Sequence, residues 1–98
     1  MESVNKISYA PMKIRRGREK EWEDFKRERA TTANKCKVLA ATMYFGQMLD
    51  AGNSPEVGML EAGELNLLSR EVEYVIKSIW YFHPRGDEVR KWCEDGYD

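Results

Sequence analysis

Leu65, Leu68, Val72, Val75, Ile79 and Phe82 follow one another at alternating spacings of three and four residues, and all six are apolar. That period places them on one stripe of an α-helix, the stripe that a helix buries. A strand competes over residues 72–82, whose even positions read Val, Tyr, Ile, Ser, Trp and Phe. The odd positions from 71 to 81 read Glu, Glu, Val, Lys, Ile and Tyr, so the alternation is broken on both faces. The helical template spans 18 residues and the strand template 11, and length favours the helix. The expected fold is therefore mainly α: a small helical domain built on an antiparallel helical hairpin with an extended N-terminal arm. An α+β fold with residues 72–82 as a strand is the alternative.

Punctuation residues divide the rest. Pro11 and a loose alternation (Ile7, Tyr9, Met12, Ile14) suit an extended arm over 1–17, closed by Gly17. Residues 18–50 contain no proline, start with acids as a helix N-terminus prefers, and carry Trp22, Phe25, Cys36, Leu39 and Met43 on a heptad-spaced stripe. Arg29 and Thr32 interrupt that stripe, yet one long helix over 18–50 is predicted. Its segment 38–45 is apolar nearly all round, which marks a helix buried on most sides. Ala51-Gly52 reads as its stop, with the glycine in the left-handed region. Ser54-Pro55-Glu56 supplies an N-cap, a first-position proline and a first-turn acid for a short helix over 55–62. The second long helix is expected over 64–83, ended by Pro84 and Gly86. A C-terminal helix over 87–95 completes a single domain of 98 residues.

Charge is unevenly distributed. Residues 1–48 hold eleven basic and six acidic side chains, whereas residues 49–98 hold five and eleven. The net charge of −1 thus conceals a dipolar chain, a pattern that speaks to partners and self-association more than to fold. A homodimer would pair the two unlike halves. No apolar run reaches the roughly 20 residues that cross a bilayer, and the first residues lack the pattern of a signal peptide. Two cysteines suggest no disulfide framework, so a cytoplasmic protein is expected.

Residues that carry chemistry are sparse. A zinc site needs three or four ligands at short spacing, and Cys36, His83 and Cys93 are scattered singly. Cys36 lies on the apolar stripe and reads as a buried, inert thiol. His83, at a helix end beside Pro84, reads as structural. No glycine pattern cradles a phosphate, and the carboxylates alternate with cations or mark helix ends. No enzymatic activity, metal or cofactor is implied.

Two candidate surfaces remain. Trp80, Tyr81 and Phe82 crowd three rings into one helical turn, so some must point away from the core. With Arg85, Arg90 and Trp92 brought back by the turn at Pro84, the set Trp80, Tyr81, Arg85, Arg90 and Trp92 has the composition of a protein-binding hot spot. The rival is nucleic-acid contact by the basic arm, Lys13, Arg15, Arg16 and Arg18. The acids that follow at Glu19, Glu21, Glu23 and Asp24, and a pI near 5.9, argue against it. A third possibility is that the arm's cations meet acidic groups of the C-terminal half, in the same chain or in a partner.

The run Ile7-Ser8-Tyr9-Ala10-Pro11-Met12-Lys13-Ile14-Arg15-Arg16-Gly17-Arg18-Glu19-Lys20-Glu21-Trp22 resembles the first strand and helix start of dimeric ferredoxin-like barrel monooxygenases. That resemblance implies a strand in the arm. The remaining residues show no matching strand series and none of the usual heme or substrate residues. The function expected from the residues themselves is a small protein-binding regulator or inhibitor. Short charge-dense chains of this composition are often accessory proteins of phages or mobile elements that act on a host target.

Overall fold

The computed structural model describes residues 11–95, which form five helices: α1 (Glu19–Arg29), α2 (Ala33–Asp50), α3 (Pro55–Gly63), α4 (Ser69–Phe82) and α5 (Gly86–Glu94). The described residues are mainly helical and contain no strand. Residues 72–82 lie within α4, so the α+β alternative is excluded. Residues 1–10, which hold most of the expected arm, lie outside the described residues; Pro11–Ile14 carries no strand of the kind the monooxygenase resemblance implies.

The helix expected over 18–50 is divided. It breaks at Ala30-Thr31-Thr32 without a glycine or proline, because Thr32 takes extended backbone angles and its Oγ1 accepts the Lys35 N–H at 3.2 Å. Thr31 Oγ1 donates to the Glu28 carbonyl at the end of α1, so adjacent threonines close one helix and open the next. The break lets α1 turn Trp22 and Phe25 onto the end of α4. Trp22 and Phe25 stack at 5.4 Å between centroids, and Phe82 lies 5.0 Å from Trp22 and 5.1 Å from Phe25. It also carries Cys36 to the surface; the expected buried thiol is exposed.

α2 is the hub, packing against α1, α3 and α4. No residue from Val38 to Asp50 is exposed, as its all-round apolar character requires. Phe45 lies against Gly58 of α3, where an added Cβ would meet the ring at 2.5 Å. α2 ends in a Schellman cap: the Gly52 N–H reaches the Leu49 carbonyl and the Asn53 N–H the Met48 carbonyl, both at 3.0 Å, with Gly52 at φ +92°.

α4 begins later than its apolar stripe suggests. Leu65 and Leu68 belong to the connection from α3, which turns through Asn66 at φ +61°, a conformation asparagine tolerates. Leu68 is 53% exposed, and its N–H is accepted by Glu71 Oε1 at 2.8 Å. From there the stripe holds: Val75, Ile79 and Phe82 are buried beside Phe45 and Leu49. The last helix, α5, seats Gly86 against the final turn of α4, where a side chain would collide with the Trp80 carbonyl.

Candidate functional site

The last turn of an α-helix leaves its carbonyls without helical partners. In α4 the arm supplies them. Arg15 N–H donates to the Phe82 carbonyl at 2.6 Å, Arg15 Nη2 to Trp80 O at 3.2 Å, and Arg18 Nη1 to Tyr81 O. Met12 anchors the arm below, buried against Gly46, which has no side chain to exclude it. The Lys13 N–H donates to Asp50 Oδ2 at 2.8 Å. The arm therefore does meet the C-terminal half of its own chain, but mostly through helix-end carbonyls rather than acids. Among the described residues the ion pair between them is Arg15 to Asp87, at 3.6 Å with an exposed carboxylate, and is of small worth.

Beneath the arm lies the His83–Asp50 pair. His83 is 1% exposed, with Nε2 2.8 Å from Asp50 Oδ1 and Nδ1 accepting the Arg85 N–H at 3.0 Å. An Nδ1 that accepts is unprotonated, so the neutral ring carries its proton on Nε2 and donates it to Asp50. Burial holds the imidazole below its ordinary value of 6.5, against the opposing hydrogen bond and charge of Asp50. His83 is buried with both ring nitrogens bonded, and its burial opposes the charged form that a helix end would favour.

Arg85 is committed nearby. Its Nη1 donates to Leu49 O at 2.8 Å and Asn53 O at 2.9 Å, while Nε and Nη2 grip Glu88 at 2.8 and 2.7 Å. That fork keeps the Glu88 carboxyl below the usual range. It ties the end of α2 to the first turn of α5.

Outside these ties runs a groove. Ser69, Val72, Glu73, Ile76, Lys77 and Trp80 form one face of α4 and, with Cys93 of α5, line a cavity of about 300 Å³. Burial pushes the Cys93 thiol up, and on the same cavity Trp80 Nε1 is buried without a hydrogen-bond partner. Lys77 and Trp80 also line a second cavity of about 430 Å³ together with Arg15, Arg18, Tyr81, Asp87 and Arg90. The second cavity thus sets four cations and two aromatic rings against one carboxylate. The rings are fixed: Arg18 lies 4.0 Å over the Tyr81 ring, Tyr81 Oη donates to Glu21 at 2.7 Å, and Arg90 lies 6.0 Å over Trp80 while bonding Glu94. The Glu21 bond raises the Tyr81 hydroxyl above its ordinary value.

The two surfaces read from the sequence as rivals therefore meet. Trp80, Tyr81 and Arg90 share a cavity with Arg15 and Arg18, whereas Lys13 and Arg16 are exposed and do not line it. Arg85 does not line it either, and Trp92 is half-buried against the core. Sequence reading missed Lys77, Val72 and Ile76 as groove residues. Their signal was present: Val72, Ile76 and Trp80 repeat every four residues beside the core stripe, and Lys77 stands one turn before Tyr81.

Among the described residues no cluster of His, Cys, Asp and Glu could hold a metal ion, and no helix is long and apolar enough to cross a membrane. Compared with protein-family models, curated proteins and solved structures, the chain matches none.

Proposed function

We propose that the chain is a protein-binding regulator or inhibitor, acting in the cytoplasm, that grips its partner along the α4–α5 groove. The observation that carries this reading is the juncture, through the shared Lys77 and Trp80, of a mixed cavity with an apolar ridge of Val72, Ile76 and Trp80 and a cationic, aromatic one. Such a groove complements a segment with an apolar ridge followed by acidic residues. The ridge would lie along Val72, Ile76 and Trp80, and the acids would meet Lys77, Arg90, Arg15 and Arg18. Interface energy concentrates in aromatic and arginine anchors already held in place, because little ordering remains to be done on binding. A second copy of this chain is one such partner, since residues 49–98 carry eleven acids against five bases.

Cations beside stacking rings also suit single-stranded nucleic acid, which is the rival reading. The decisive experiment compares Lys77→Glu, Arg90→Glu and Tyr81→Ala with the parent. All three should keep the melting temperature within a few degrees and weaken capture of the partner from the native host. Undiminished capture by all three refutes the groove. Retention on generic single-stranded DNA that falls steeply with salt would replace the protein partner by nucleic acid. Sedimentation at about 100 µM, where weak contacts populate, tests the second copy; a clean monomer removes it.

A further inference from the structure

A separate cavity of about 380 Å³ opens beside the first turns of α2 and α4, lined by Arg29, Asn34, Lys35, Val38, Arg70, Glu71 and Tyr74. It shares no residue with the groove along α4 and α5. Three cations face one carboxylate here, and that carboxylate is engaged: Glu71 Oε1 accepts the Leu68 N–H at 2.8 Å and lies 3.9 Å from Lys37 Nζ. The cavity therefore holds an excess of two positive charges. No acid stands in the first turn of α2 to compensate them.

Arg29 is the group that most needs an explanation. Its guanidinium lies against two rings that meet edge to face, 4.9 Å from the Phe25 centroid and 4.7 Å from Tyr74, themselves 6.2 Å apart. Its Nε is buried and has no hydrogen-bond partner. An arginine packed against rings has lost part of its rotamer freedom beforehand, so an anion that meets it has less ordering to do. Val38 and Tyr74 give the same cavity an apolar wall.

We propose that this cavity binds an aryl phosphate: a dianion balances its charge excess, and an aromatic ring fits its apolar wall. Arg29 and Arg70 hold the phosphoryl oxygens by charge-assisted bonds, Lys35 adds a third cation, and the ring lies against Val38 and Tyr74. The volume matches the lower range of small-ligand sites, roughly 300 Å³ and above. The chemistry is shared by a free aryl phosphate and by a phosphotyrosine side chain. The site stands independently of the groove proposed above.

Titration calorimetry of the whole chain with phenyl phosphate, inorganic phosphate and benzyl alcohol tests it. Phenyl phosphate should bind at concentrations up to about 1 mM, at least tenfold more tightly than either of the others. Arg70→Gln, at an exposed position, should weaken it about tenfold without altering the melting temperature. Arg29→Gln should weaken it further. Trp80→Ala and Arg90→Glu, in the groove, should leave it unchanged. A phosphotyrosine pentapeptide run alongside identifies the source: tighter binding than phenyl phosphate points to a modified partner, weaker binding to a small molecule. No heat with phenyl phosphate, equal affinity for inorganic phosphate, or indifference to Arg70→Gln each overturns the proposal.

Discussion

At its C-terminal end α4 hands the carbonyls of Trp80, Tyr81 and Phe82 to the arginines of a distant segment, above a histidine with both nitrogens bonded. At its N-terminal end the same helix has the local bond of the Leu68 N–H to Glu71 and a cation from a distant segment, Lys37, which donates to the Asn66 carbonyl at 3.2 Å and lies 3.9 Å from Glu71, while Leu68 is 53% exposed. Cations cluster at both ends but are used differently. Arg15, Arg18 and Arg85 reach carbonyl oxygens and hold elements together, whereas Arg29, Lys35 and Arg70 line an open cavity. A count of basic residues cannot distinguish the two uses, because what separates them is whether backbone acceptors lie within reach.

The comparison can be broken in order of expected effect. Val75, wholly buried between the two ends, should tolerate no charge: Val75→Asp is expected to cost about 4 kcal/mol or more and abolish the cooperative melt. A parent-like melting curve would mean that the apolar stripe faces solvent. Arg85→Ala should cost about 3 kcal/mol in urea denaturation, since it leaves the Leu49 and Asn53 carbonyls and Glu88 without their partner. If the loss is below about 1 kcal/mol, the tie is ornamental and the C-terminal end is no firmer than the other.

A smaller effect is set by pH. The folded chain holds His83 below its ordinary value of 6.5, so in the window beneath 6.5 the unfolded chain binds more protons than the folded one. Stability is complete above that value and falls as the pH drops toward the folded pKa, with a slope of at most about 1.4 kcal/mol per pH unit. Urea midpoints between pH 7.5 and 5 should show the decline, and His83→Gln should flatten it. An equal decline in that variant would assign the effect elsewhere. At the other end Leu68→Ser should change stability by no more than about 0.5 kcal/mol, as for an exposed site. A loss of about 2 kcal/mol would show that the open end is as tightly bound as the tied one.

Local chemistry was readable where it acts over a few residues. Ser54, Pro55 and Glu56 open α3 as expected, Gly52 caps α2 in the left-handed region, and Val75, Ile79 and Phe82 face the core. The division of residues 18–50 was harder, because Thr31-Thr32 is weak punctuation and the apolar stripe runs on past it. Cys36 was misplaced for the same reason, since its assignment depended on one unbroken helix. The groove was half readable: the aromatics and the basic arm could each be seen, but not that they share a wall. That union depends on contacts such as Arg15 to Trp80 and Arg18 to Tyr81, 65 and 63 residues apart, which no local pattern encodes.

The same separation sets the order in which the molecule is finished. Arg15 and Arg18 leave the ribosome long before the carbonyls they will bond, and Met12 waits likewise for Gly46. Closing a loop of some 65 residues brings a loss of chain entropy that only an assembled α4 can offset. On that argument the arm is expected to close as a latch on a nearly complete protein rather than to seed its folding. Its closure also completes one wall of the cationic cavity, so a nascent or partly unfolded chain lacks that wall and only the finished molecule presents it.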